Sequence, residues 1–153
     1  MGFLRRKKLP IFSLTVMAFL AFDQISKLLA RSNLDPEKSL SVIKGFLSLT
    51  LVKNKGAAFG LLPGNINLFQ ILAVFLIVFI LFYMLIYRPS SAFIKIALGL
   101  IVAGSLGNFV DRAFFKQVTD FIDLHVWPVF NIADSSIVTG ITLLAVKNLF
   151  TKS

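Results

Sequence analysis

Four uncharged, largely apolar runs organise the chain. They extend from Leu9 to Phe22 (14 residues), Gly56 to Tyr87 (32), Ile96 to Val110 (15) and Ser135 to Val146 (12). A helix needs roughly 20 mostly apolar residues to cross a bilayer. Only the second run is that long by itself; the other three reach the length by drawing an ionisable residue into the membrane. The pattern predicts four spans, at about 10–30, 66–87, 94–114 and 132–150. The loop at about 31–65 follows a different period. Within Phe46–Val52, Leu47, Leu49 and Leu51 alternate onto one face, which is a strand pattern. Ser39–Ile43 is the expected partner across Lys44-Gly45. The expected class is an all-α membrane protein: a four-helix transmembrane bundle with a small extracytoplasmic β element between spans one and two, in a single domain over 1–153.

Composition strengthens this picture. The chain is 57% apolar and 15% charged, with mean hydropathy +0.85. A soluble domain carries about 25% charged residues. Disorder and a water-soluble enzyme with an integral tail are both excluded. Sixteen Lys and Arg against seven Asp and Glu give a net charge of +9. On a soluble protein that would suggest nucleic acid. Here the basic residues flank the apolar runs, so topology and anionic phospholipid headgroups explain them, and no nucleic-acid partner is expected. Arg5, Arg6, Lys7 and Lys8, the Arg88–Lys95 loop, and Lys147 with Lys152 fall on one side of a four-span protein, with no Asp or Glu among them. That places both termini in the cytoplasm, with the polar chemistry toward the outer face. The first run resembles a secretory signal, but no small-x-small cleavage site precedes Asp23 and three spans follow, so a retained span is expected. There is no Cys, which removes disulfides, thiol catalysis and zinc–thiolate sites.

Polar groups inside a span are costly and each needs a reason. Asp23 and Lys27 are one helical turn apart on span one. They form an internal salt bridge, or Lys27 snorkels to the interface, or they contact a ligand. Asn108, Asp111 and Arg112 share a face at the end of span three, either locking helices together or buttressing an active site. Ala103 and Gly107 there form a small-residue seam for close helix contact. Asp120 follows span three and Asp134 begins span four, so the short connection between these spans brings both near the outer surface. Asp134 could instead serve the helix dipole, and Asp120 could cap a short helix. Trp127 reads as an interfacial anchor.

If the two carboxylates meet, they share a proton, because adjacent like charges resist joint ionisation. The ionised member can take a proton from water, while the protonated one hydrogen-bonds a scissile carbonyl and serves the leaving amine. That is peptide hydrolysis without metal or covalent intermediate. The single His, His125, leaves no H-E-x-x-H zinc motif, and no metal site or cofactor is expected. Gly104-Ser105-Leu106-Gly107 would need a base inside the membrane to act as a nucleophile motif, and reads as helix packing.

Four blocks, in order, resemble the lipoprotein signal peptidases, the type II signal peptidases of bacteria. They are Asp23-Gln24-x-x-Lys27; Asn54-x-Gly56-Ala57-Ala58-Phe59-Gly60; Gly104-x-x-Gly107-Asn108-x-x-Asp111-Arg112; and Val118-x-Asp120-Phe121-Ile122 with Phe130-Asn131-x-Ala133-Asp134. They span nearly the whole chain. The resemblance implies an aspartic-type endopeptidase of the bacterial inner membrane with Asp120 and Asp134 as its catalytic pair. It implies that Asn54 helps to hold substrate and that Gly56 lets its loop approach closely. Asp23, Lys27, Asn108, Asp111, Arg112, Asn131 and Ala133 would shape and support the site. The implied substrate is a diacylglyceryl-modified prolipoprotein cleaved just before its lipobox Cys, and the implied inhibitor is globomycin. A monomer is expected. The alternating strand and the Gly56–Gly60 stretch suit a clamp on such a substrate.

The alternative from another class is a small four-span transporter or ion-conducting subunit, suggested by intramembrane Asp23, Lys27, Asp111 and Arg112. It predicts polar residues along a path through the bilayer. The second span has almost none after Gln70. A purely structural subunit leaves Asp120, Asp134 and the Asn54 loop unexplained.

Overall fold

A computed structural model describes residues 11–56 and 66–151. The order is α1 (Ile11–Asn33), β1 (Leu40–Ile43), β2 (Leu47–Asn54), α2 (Ile66–Tyr87), α3 (Ala92–Phe115), β3 (Val118–Asp123) and α4 (Ile132–Thr151). All four helices are long and apolar enough to cross a membrane. Their boundaries extend the expected spans where local chemistry allows. Ser91 caps α3 by accepting from the Ile94 N–H, so this helix starts two residues early. At the other end of α1, Asn33 Nδ2 donates to the Leu29 carbonyl at 2.8 Å, carrying the helix past residue 30. Residues 57–60, which the sequence joins to Gly56 as a clamp, lie outside the described residues.

Helix α3 is the centre of the bundle and packs against α1, α2 and α4. Ile80, Leu98, Ile101 and Val102 form its buried cluster, flanked by Phe12, Val16, Leu76 and Ile77. The other helices turn apolar side chains outward: Met17 and Phe22 on α1, Phe75, Val78 and Phe82 on α2, Ile141 and Leu149 on α4. Water does not tolerate so large an apolar surface, and lipid does. The expected small-residue seam at Ala103 and Gly107 is buried at both positions and takes in Gly104 as well. A Cβ on Gly104 would collide with the Ala133 carbonyl of α4, and one on Gly107 with the Asp23 carboxylate of α1. Together with Gly140 of α4, where a Cβ would meet the Ala97 carbonyl of α3, and Gly99, where one would meet Thr15 of α1, these glycines set how closely the three helices approach.

The sheet runs β1-β2-β3, antiparallel throughout. The β1–β2 hairpin is where the alternation places it, and Gly45 takes the left-handed φ of 74° its turn requires. The expectation of a β element confined between spans one and two is corrected. A third strand, β3, comes from the connection between α3 and α4, and pairs Asp120 with Val52 and Val118 with Asn54. The cause is tertiary. The free side of β3 bonds to Phe130, whose carbonyl accepts from Phe121 and Ile122 at 3.0 and 2.8 Å, so the strand is satisfied on both sides. Asp120 therefore sits on a strand and caps no short helix.

Candidate active site

Asp120 and Asp134 reach one cavity of about 250 Å³ at the sheet end of the bundle. Strand β3 supplies Asp120 and the first turn of α4 supplies Asp134. Each of their four carboxylate oxygens accepts one hydrogen bond. Asp120 Oδ1 receives Asn131 Nδ2 at 2.6 Å, and Oδ2 receives Asn54 Nδ2 at 2.8 Å. Asp134 Oδ1 receives Asn108 Nδ2 at 2.7 Å, and Oδ2 receives the Asn131 backbone N–H at 3.3 Å. Neutral amides thus fix both groups without neutralising them. Asp120 is 1% exposed. Burial, then the Asp134 charge, push its carboxyl up to about 7, against the pull of the Asn54 and Asn131 donors toward the ionised form.

The dipole alternative for Asp134 is also realised, in a particular form. Asn131 Oδ1 accepts the Asp134 N–H at 3.0 Å while Asp134 reaches back to the Asn131 N–H. That is a reciprocal capping box at the start of α4. It aims the Asp134 carboxylate into the cavity and leaves the Asn131 amide free to face Asp120.

Behind the cavity lies a buried ionic layer. Lys27 is fully buried and does not snorkel. Its Nζ sits 3.0 Å from Asp23 Oδ2 and 3.6 Å from Asp111 Oδ2, and donates to Asn108 Oδ1 at 3.0 Å. Because Asn108 Oδ1 takes Lys27 and Asn131, its amide nitrogen has to face Asp134. Asp23 Oδ1 accepts the Ala133 N–H at 2.8 Å, tying α1 to the first turn of α4.

The expected site residues thus divide into two groups. Asn54, Gly56, Asn108, Arg112, Asp120 and Asp134 line the cavity, with Trp127 and Phe130 among the apolar walls. Asp23, Lys27, Asp111, Asn131 and Ala133 stand behind and hold them. Asn108, Asp111 and Arg112 share a face only loosely: Asp111 turns to Lys27 and Arg31, while Arg112 faces the cavity and lies 5.3 Å over the Phe69 ring. Sequence reasoning missed Arg31 and Thr119. Arg31 Nη1 donates to Thr119 Oγ1 at 2.9 Å and lies 3.5 Å from Asp111 Oδ1. Only the burial of Asp111 calls for such a second cation, and the sequence pattern does not show it.

His125 has no link to Ser105. Its Nε2 lies 3.1 Å from Ser48 Oγ and its Nδ1 3.6 Å from Asp123 Oδ1, on the rim of the sheet. Ser48 is buried, so this Ser–His–Asp row ties β2 to β3. Among the described residues, no group of three or more His, Asp or Glu could hold a metal ion. The buried polar residues of the helices all lie toward the sheet end: Asp23 and Lys27 on α1, Ser105, Asn108 and Asp111 on α3, and Ser136 on α4. A transport path through the bilayer would need such groups in the other half as well.

Fold and site together define a multi-pass membrane protein with a paired-carboxylate cavity at one end of its helices. A family model described as "Signal peptidase (SPase) II" matches residues 15–150. A lipoprotein signal peptidase of Halothermothrix orenii is 43% identical over 131 residues, covering 86% of this chain and 90% of that protein. One from Moorella thermoacetica is 43% identical over 133 residues, covering 87% and 89%. A solved structure described as "Bacterial membrane enzyme structure by the in meso method at 2.3 A resolution" superposes with a TM-score of 0.90 at 32% identity, over 95% of this chain and 92% of that one. A second, at 1.9 Å, gives 0.84 at 32% identity, over 93% and 94%. The chain belongs to the signal peptidase II family, the lipoprotein signal peptidases, and is a membrane protease.

Proposed function

We propose that this peptidase is aspartic-type, with Asp120 and Asp134 as the catalytic pair. One observation carries the reading: two carboxylates open into one cavity, and neutral amide donors hold all four of their oxygens. Such a pair retains one proton. Asp120, the more buried, keeps it, which leaves Asp134 to act as the base. Asp134 takes a proton from water as the water oxygen attacks the scissile carbonyl carbon. Asp120 gives its proton to the carbonyl oxygen, forming a gem-diol. As the C–N bond breaks, Asp134 passes its proton to the leaving nitrogen and Asp120 recovers one from the diol, which restores both groups. Asn54 and Arg112, on the cavity wall, hold the substrate backbone, and Gly56 leaves it room.

The substrate in this reading is a diacylglyceryl-modified prolipoprotein, cut before its lipobox Cys, and globomycin occupies the same cavity. The protein is a monomer in the bacterial inner membrane among phospholipids. Both termini lie in the cytoplasm and the site lies near the outer face, consistent with the basic Arg88–Lys95 loop at the opposite end. A gel-shift cleavage assay on lipidated prolipoprotein tests this, run beside Asp120→Asn and Asp134→Asn. Cleavage by the parent alone is expected. Cleavage by either variant at the parental rate removes that residue from the mechanism.

A further inference from the structure

We propose that Arg31 and Thr119, acting with Asp111, are positioning residues that set where Asp120 stands; this rests on Asp120 being catalytic. Only Lys116 and Gln117 separate α3 from β3. Lys116 adopts a left-handed φ of 56° and closes the helix through its N–H to the Arg112 carbonyl. That turn brings Asp111, in the last turns of α3, against Thr119 at the start of β3. Asp111 Oδ2 accepts the Thr119 N–H at 2.9 Å. Its other oxygen, Oδ1, is buried without a hydrogen bond, and an Arg31 nitrogen lies 3.5 Å from it. The same Arg31 nitrogen donates to Thr119 Oγ1 at 2.9 Å, and the guanidinium lies 4.5 Å over the Phe115 ring. Arg31 therefore holds both sides of the turn from the end of α1. Residue 119 is fixed through its backbone N–H and through its hydroxyl.

Asp120 is the next residue along a planar peptide, so a shift at 119 carries directly into its Cα. Its carboxylate is held at the far end by Asn54 and Asn131. Those amides set the direction of the carboxylate; the clamp sets where it starts from. A misplacement of about 1 Å in a reacting group costs on the order of a hundredfold in rate. Arg31 is absent from the cavity wall and touches no reacting group, so it should affect turnover and leave substrate binding alone.

The test compares kcat and KM on lipidated prolipoprotein for Thr119→Val, Thr119→Ser, Arg31→Lys and Arg31→Met, each below its unfolding temperature. Asp120→Asn is the reference. Thr119→Val keeps the shape of the side chain and removes the hydroxyl that accepts from Arg31; Thr119→Ser keeps that hydroxyl. Thr119→Val and Arg31→Met should lower kcat roughly 10- to 100-fold, with KM within about twofold. Thr119→Ser should stay near the parent. Arg31→Lys should fall between, since an ammonium keeps the charge but not the planar guanidinium that lies over Phe115. Parental kcat in folded Thr119→Val overturns the clamp, as does an equal loss in Thr119→Ser, or a loss that appears in KM. If Arg31→Met does not fold, the two Thr119 variants still decide. Turnover by Asp120→Asn is a separate result that removes the catalytic pair itself.

Discussion

Replacing Asp120 by Asn should make the protein progressively more stable, relative to the parent, as pH rises. The folded-state carboxyl titrates at about 7, against 3.8 for the unperturbed group. Between these values the folded protein keeps a proton that the unfolded chain has lost. Folding is therefore favoured at the acidic end, and stability falls as pH rises through the window. Above 7 both states are ionised and the penalty is complete. From pH 5 to pH 8 the relevant interval is two units, which at about 1.4 kcal/mol per unit is on the order of 3 kcal/mol. Asn carries no such proton. It also loses an acceptor, because its NH2 group must face a donor, Asn54 or Asn131. That costs about 1–3 kcal/mol, equally at both pH values. The difference between the two pH values thus isolates the titration. Equilibrium unfolding in mixed micelles, followed by the single Trp, Trp127, measures it. The variant-minus-parent stability should rise by on the order of 3 kcal/mol from pH 5 to pH 8. A difference unchanged with pH, or moving the other way, refutes the assignment of a buried, proton-bearing Asp120.

Three further outcomes follow from the same geometry. kcat/KM should fall about tenfold per pH unit above pH 7 as Asp120 of the free enzyme loses its proton; a flat kcat/KM profile from pH 7 to 9 contradicts the acid role. Lys27→Met leaves Asp23 and Asp111 buried beside an apolar side chain and should cost about 3–5 kcal/mol in unfolding experiments. A loss below about 1 kcal/mol would mean the ionic layer is not holding the helices. Gly104→Ala should force α3 and α4 apart at the Ala133 carbonyl, destabilising by about 1–3 kcal/mol and shifting Asp134, so activity per folded molecule should fall as well.

Much of this was legible in the chain. The apolar runs located all four helices, because a membrane imposes a length that no soluble core requires. Alternation at Leu47, Leu49 and Leu51 with a glycine at 45 located the hairpin, because both signals are local. Strand β3 was not legible: Val118–Asp123 carries two carboxylates and a threonine, and it is a strand only because β2 and Phe130 satisfy its two sides. The polar residues of the helices were legible as a group, since buried charge always demands a reason. Their division into cavity wall and ionic layer was not, as it depends on which way each side chain turns. Arg31 gave no local sign of its role, because its partners, Asp111 and Thr119, lie 80 and 88 positions away. The Asn131–Asp134 box could have been found, since an Asn three residues before an Asp at the start of an apolar run is a known helix-start signature.

The pairing of β3 with β2 has a consequence for biosynthesis. Asp120 is held by an amide from β2, made long before it, and by another from Asn131, made after it. Asp134 arrives with the final helix, whose first turn must dock on Asp23 of the first. No N-terminal fragment emerging from the ribosome therefore contains a complete site. With Asp120 and Asp134 as the proposed catalytic pair, such fragments would be inactive, and hydrolysis would begin only after the last helix is seated.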